Sequence, residues 1–437
     1  MRHISIDATL EAIVENMAKQ RIKLGTLDNT NPFMPPITEM LTWLRGPADY
    51  PALLWSEQQE IGLVKPSLNT LKNLFKSGVT PRSARQVEAN IGKLVEHYDV
   101  RASADQILSE MPLASGENGV RWLFFPRGVI EGVRRHKPFD EIEIGQTIAF
   151  LQRRAEAEAG LISVVLRSES IGLSKKEKAG YLRKAMSELL SQHVLIGAED
   201  IRMYCDAVVT LKSYRRSYSH KKISAALRGH FYLRVDFYHQ LFANFMADIV
   251  SSHGLLDPSH GFEKDLVEQG GMVDVLPTLE DAELVTPTEK LYKLWSRLFS
   301  SGGEPMSYRQ MATHIPSPKP ERTRRAGADS APDMYDSIYE TQRGRMAEWR
   351  DGTVPNTEQL VKFLESLVGD SRNILLPFLM TRMSTIWTAW IKQEKKQLDD
   401  LVSAVPALAE HLSFEDYLFS FSRYPAYWAK ARAQADR

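Results

Sequence analysis

Apolar residues recur at three- and four-residue steps along most of this chain. The breaks between those runs carry helix-starting and helix-stopping residues. Residues 1–25 predict a first helix, with Ile13, Met17 and Leu24 among its apolar positions and Gly25 at its end. A loop, TLDNTNPFMPP, leads to a short helix, ITEMLTWLRG, closed by Gly46. After PADYP, the pattern ALLWSEQQEIGL predicts another helix. Ser67 is placed to cap the next one, Gly78 to end it, and Pro81 to open its successor at a position where a missing amide proton costs nothing. Residues 100–140 are less regular, and WLFFP (Trp122 to Pro126) reads as a short strand or as a packed linker. Residues 141–205 return to helical spacing in two runs, the second opened by Ser174 and Glu177 in capping-box spacing. Two further helices are expected over 200–250, joined by the basic segment YRRSYSHKKISAALRGH.

The stretch from Ser251 to Pro287 is turn-rich and acidic and reads as a domain boundary. The helical pattern LYKLWSRLF follows, then a break at SSGGEP and a short MSYRQMATHI. A proline-rich basic insert at 316–333 predicts an exposed, flexible loop. Residues 371–437 are helical and aromatic-rich. No alternating Val/Ile-rich set is large enough for a sheet, so the expected class is mainly α: a multi-domain helical protein with one or two helix-turn-helix-like units. The expected divisions are an N-terminal helical domain at 1–100, a linker or small subdomain at 101–140, a central helical domain at 141–285, a helix-turn-helix-like domain at 286–370, and a C-terminal helical domain at 371–437.

Composition narrows the function. A chain of 437 residues, 43% hydrophobic, can bury several cores. The 55 basic and 55 acidic residues balance, which excludes a uniformly basic nucleic-acid coat and leaves local patches for any such contact. Cys205 is the only cysteine and lies inside the apolar run MYCDAVVTL. An intramolecular disulfide is excluded, and the thiol is expected to be buried in a protein of a reducing, cytoplasmic compartment. The amphipathic N-terminus carries acids and does not read as a secretory signal. Asn373–Ile391 is apolar enough to be weighed as a membrane span, but Arg382 and Pro377 within it predict a buried helix and no membrane partner.

One spacing occurs twice. Trp349, Gly352 and Pro355 read W-x-x-G-x-x-P, followed by an apolar stripe of Leu360, Phe363, Leu364 and Leu367. Phe75, Gly78 and Pro81 repeat it, with Ser67, Thr70 and Leu71 upstream. The spacing resembles the end of the recognition helix in Cro/repressor-type (XRE-like) helix-turn-helix DNA-binding domains. There a glycine stops the recognition helix in a left-handed turn, and a proline starts the helix that braces it. The resemblance covers about 30 residues of the first copy and implies double-stranded DNA as the partner. In such units the N-terminal side chains of the recognition helix meet bases and phosphates. It therefore nominates Ser67, Asn69, Thr70, Lys72 and Asn73 in the first copy, and Thr341, Gln342, Arg343 and Arg345 in the second. The second copy departs from the family where the insert separates its halves, and the first lacks a clear preceding helix of the usual kind. Ordinary helical hairpins would show the same spacing.

Other groupings offer weaker chemistry. The run from Lys212 to Arg234 interleaves cations with aromatic rings, and Arg215, Arg216, Lys221 and Lys222 are nucleic-acid candidates there. Lys319, Arg322, Arg324 and Arg325 form a basic arm in the insert. His253, Asp257 and His260, with His239 upstream, are residue types that ligate zinc or iron, in no tight motif. Phosphate-loop, dinucleotide, serine-hydrolase, zincin and C-x-x-C signatures are missing from the sequence. Three readings follow. The first is a bacterial-style DNA-binding protein, a transcription regulator or an accessory factor of a mobile element or phage-defence system, needing no catalysis and no cofactor. The second is a helical scaffold with a protein partner or homodimer contact through its central or C-terminal helices. The third is a metal-dependent enzyme built on the histidines.

Overall fold

The computed structural model describes residues 61–97, 144–170, 174–213, 219–253, 272–300, 304–316, 331–353, 355–369 and 374–435. It also describes isolated positions at 34, 35, 37, 40, 54, 55, 58, 59, 122 and 172. Among these the protein is mainly α. The helices are α1 (Leu68–Lys76), α2 (Pro81–His97), α3 (Gly145–Ser170), α4 (Lys175–His193), α5 (Ala198–Ser213) and α6 (His220–His253). A short antiparallel hairpin, β1 (Thr278–Glu280) and β2 (Glu283–Val285), leads to α7 (Pro287–Leu298) and α8 (Tyr308–Ala312). The chain then continues through α9 (Ala331–Arg350), α10 (Thr357–Val368), α11 (Leu375–Ala404), α12 (Phe414–Phe421) and α13 (Tyr424–Ala435). Asp281 and Ala282, at the tip of the hairpin, both have positive φ, as a two-residue turn between twisted strands requires.

The fold is built on α6. From Phe231 to Val250 almost every side chain is buried, because α3, α5, α12 and α13 pack around it and no face is left for solvent. Phe231 stacks on Tyr417 of α12, with ring centroids 4.1 Å apart and planes 10° apart, and lies 5.3 Å from Trp390 of α11. These rings bury large areas while keeping offset or edge contacts that a face-to-face sandwich would lose. Most buried apolar side chains, from Met34 to Ala431 but without those of the α1–α2 region, form one cluster, which runs across the boundaries expected at 285 and 370. The segment expected as a separate C-terminal domain therefore shares its core with the central helices.

Helix α11 contains the stretch weighed as a membrane span. It is buried by protein: Leu375 to Ile391 face neighbouring helices almost throughout. Arg382 within it donates to the Pro355 carbonyl at 2.9 Å and to Thr357 Oγ1 at 3.0 Å. Burial pushes its guanidinium down to about 10, still charged at neutral pH. Among the described residues no helix is long and apolar enough to cross a membrane. Cys205 is buried as its surroundings predicted, and burial pushes its thiol up to about 11, so it carries little thiolate.

The start and stop signals act largely as read. Ser174 and Glu177 form the reciprocal capping box of α4. Ser67 caps α1, Gly78 ends it with φ of +79°, and Pro81 is the first residue of α2. Two details differ. Pro355 lies one residue before the α10 cap, which is Asn356, accepting from the Gln359 amide at 2.7 Å. Helix α9 begins at Ala331, inside the expected insert, and runs unbroken to Arg350.

Gly352 is the tightest of the turns. Its φ is +100°, and a Cβ there would lie 2.6 Å from Thr388 Cγ2 of α11. Gly352→Ala combines left-handed strain with a clash against a buried helix. It is expected to lower stability by about 2–4 kcal/mol in a urea melt, whereas Gly344→Ala, in open space inside α9, is expected to raise it by about 0.5–1 kcal/mol.

Candidate nucleic-acid interface

The first unit begins where Leu54, Trp55, Gln58 and Gln59 lie in helical backbone. The Gly62 amide donates to the Gln59 carbonyl and the Leu63 amide to the Gln58 carbonyl, with Gly62 at φ +76°, so this helix ends in a left-handed turn. The described positions agree with the helix expected over ALLWSEQQEIGL. Leu54, Leu71, Leu74, Val79 and Val87 close a small apolar cluster of their own, with Ile61 and Ala84 against it. Gln58 is fully buried, and Asn90 of α2 donates to its side chain and to the Lys65 carbonyl, which ties the three segments together.

This packing determines which α1 residues face outward. Leu71 and Leu74 turn into the cluster, so Asn69, Lys72 and Asn73 form an exposed stripe at i, i+3 and i+4. Ser67 is exposed but committed: its hydroxyl accepts from the Thr70 amide and lies 3.1 Å from Thr70 Oγ1. Arg82 and Arg85 of α2 are exposed as well. Residues 61–87 contain five basic side chains (Lys65, Lys72, Lys76, Arg82 and Arg85) and no acidic one. In a chain whose charges balance, that is a local positive field of the kind a phosphate backbone attracts. A running charge count along the sequence would have found it.

The second unit has the same order of elements but another use of its nominated residues. Trp349 is buried and meets the Phe363 ring edge-on at 5.4 Å, so α10 braces the end of α9. Ser307 and Gln310 form a capping box that starts α8. Thr341, Gln342, Arg343 and Arg345 do not open the helix, however; they lie in the second half of a 20-residue α9. Gln342 is buried and donates to the Ile315 carbonyl at 2.6 Å, and Arg345 reaches the Pro316 carbonyl at 3.5 Å. Arg343 pairs with Glu340 at 2.7 Å, and Thr341 is exposed. Gln342 and Arg345 thus contact the chain leaving α8.

The basic run on α6 divides in two. Lys221 and Lys222 are exposed in its first turn. Arg228 pairs with Asp416 of α12 at 3.5 Å, and Arg234 with Glu394 of α11 at 2.7 Å, so both are structural. Arg215 and Arg216, together with Lys319, Arg322, Arg324 and Arg325, lie outside the described residues. So do Asp257, His260 and the side chain of His253. Among the described residues, no group of three metal-ligating side chains comes together. His239 is enclosed by the rings of Trp387, Phe421, Tyr424 and Tyr427, with centroids 5.2–5.7 Å away, a setting that holds an uncharged imidazole and no ion.

No protein-family model matches the sequence, and no curated protein or solved structure matches it.

Proposed function

We propose that this is a cytoplasmic protein that binds duplex DNA through the unit at 54–97, with α1 as the element entering the groove. The observation that carries the reading is the exposed stripe of Asn69, Lys72 and Asn73 on a short helix between the Gly62 and Gly78 turns, inside a segment that is basic without an acid. The chemistry matches that role: Asn side chains pair with adenine edges, and Lys72, Arg82 and Arg85 suit phosphates. Positioning by phosphate contacts needs no catalytic group and no cofactor. The chain fits a regulator or an accessory factor of a mobile element or defence system, whose central helices could also carry a protein partner.

Binding of the full chain to a random-sequence duplex over a salt series tests this. The Lys72→Ala/Arg85→Ala variant is expected to flatten the log–log salt slope by about 1 for each phosphate it no longer neutralises. Arg343→Ala/Arg345→Ala is expected to leave the slope unchanged, because those residues lie in the second half of α9 and not at its start. Absence of binding at low salt, or a wild-type slope in the α1–α2 variant, would rule the reading out.

A further inference from the structure

Arg153 and Arg154 follow one another near the start of α3, and they point in different directions. Arg153 is exposed, whereas Arg154 is 1% exposed. One amino group of Arg154 is bound to Asp236 of α6, and its Nε and Nη1 have no hydrogen-bond acceptor among the described residues. Both arginines line a cleft of about 120 Å³, which His193 at the end of α4, Gln240 and Asn244 of α6, and Lys430 of α13 complete. Four helices thus meet at one small polar opening.

The balance of donors and acceptors around it is uneven. Asp236 is the carboxylate beneath the cleft, and its two oxygens already accept from Arg154, the Leu195 amide at 2.6 Å, Gln240 at 3.0 Å and the Tyr427 hydroxyl at 2.9 Å. Its lone pairs are spent, so it neutralises one arginine and takes no more donors. Arg153 and Lys430 are then cations at the opening, and the nearby carboxylate of Glu156 acts on His193. Burial, and then the charges of Arg154 and Arg153, hold His193 below its ordinary value. The buried Asn244 Oδ1, with no partner among the described residues, supplies one acceptor.

We propose that this cleft binds a compact phosphate-bearing small molecule, with Arg153 and Lys430 gripping the oxyanion against the wall that Arg154 forms. A tetrahedral oxyanion presents acceptors in three dimensions, which suits cations supplied by two different helices, α3 and α13. A planar carboxylate keeps its acceptors in one plane. Asn244 Oδ1 accepts from the protonated oxygen of a monoanion or from a hydroxyl next to the phosphate. This site is separate from the DNA reading, and Lys72→Ala is expected to leave it unchanged.

Titration of the full chain with inorganic phosphate at fixed ionic strength, by calorimetry and by thermal melting, is the test. Saturable binding is expected, with sulfate competing and acetate not. Arg153→Ala/Lys430→Ala is expected to weaken it by about tenfold or more, since two charge-assisted hydrogen bonds go with the side chains, without moving the melting temperature in phosphate-free buffer. A nucleoside monophosphate that binds tighter than phosphate would identify a phosphomonoester as the ligand, and equal binding would identify the free ion; both keep the site. Phosphate that raises the melting temperature no more than acetate does, or a double variant with wild-type affinity, overturns it.

Discussion

Asp236→Ala is expected to destabilise the protein by about 3–5 kcal/mol, a large share of the roughly 5–15 kcal/mol that folded domains have in total. The reason is what the carboxylate leaves behind. Arg154 is buried on α3 with Asp236 as its only hydrogen-bonding partner among the described residues, so removing the acid strands a buried cation. The same change takes their acceptor from the Leu195 amide and the Tyr427 hydroxyl, and leaves Gln240 with the His193 carbonyl alone. Four elements lose their common tie. Removing both charges is a different experiment: Arg154→Met/Asp236→Leu no longer strands a buried cation and is expected to recover part of the loss, the share that the Leu195 amide and Tyr427 hydroxyl do not carry. Urea melts of the single and double variants decide this. Equal destabilisation by the single and the double change would show that the ion pair is not what the site depends on.

A second large effect is expected from acid. His239 is fully buried in its ring of aromatics, with no partner for either nitrogen among the described residues, and burial alone pushes it down to about 3 from 6.5. The sign follows from which state binds the proton. Above pH 6.5 the imidazole is neutral in both the folded and the unfolded chain, and stability is complete. Below 6.5 the unfolded chain takes up a proton that the folded one refuses until about pH 3. Stability therefore falls across that window by about 1.4 kcal/mol per pH unit from this residue alone. His239→Phe keeps the ring packing and removes the titration. It is expected to flatten the acid limb by one proton while leaving stability at pH 7 unchanged or higher, since two unsatisfied buried nitrogens go with it. Identical pH slopes for the two proteins would remove His239 from the account.

Much of the helical framework was legible because its signals are local. Ser174 with Glu177, Ser67, Gly78 and Gly352 each act within a turn or two of the chain, and the structure uses them as helix ends. Gln342 shows where such reading stops. Its type and spacing invited a base contact, yet it is buried on the carbonyl of Ile315, 27 positions earlier in the chain. Nothing local tells a polar side chain that ties two helices from one that meets solvent. The start of α9 was missed because the residues from 316 to 333 were weighed by composition, which favoured a loop, although the helix begins at Ala331. The cleft at Arg153 was invisible for a related reason: its groups come from four helices, separated by up to 277 positions between Arg153 and Lys430.

The close approach of Gly352 to α11 has a mechanical side. Thr288, at the start of α7, donates from its hydroxyl to the Arg350 carbonyl at 2.9 Å and from its amide to Thr388 Oγ1 at 3.0 Å. One α11 residue, Thr388, therefore touches both the first helix of the second unit and the turn that ends α9. The wall behind the second unit is not its own; it borrows one from α11. A fragment ending before α11 would lose the helix that α7 packs against, and is expected to be insoluble. The piece of this protein to excise and handle alone would have to keep α7 and α11 together, because neither has a complete inner surface without the other.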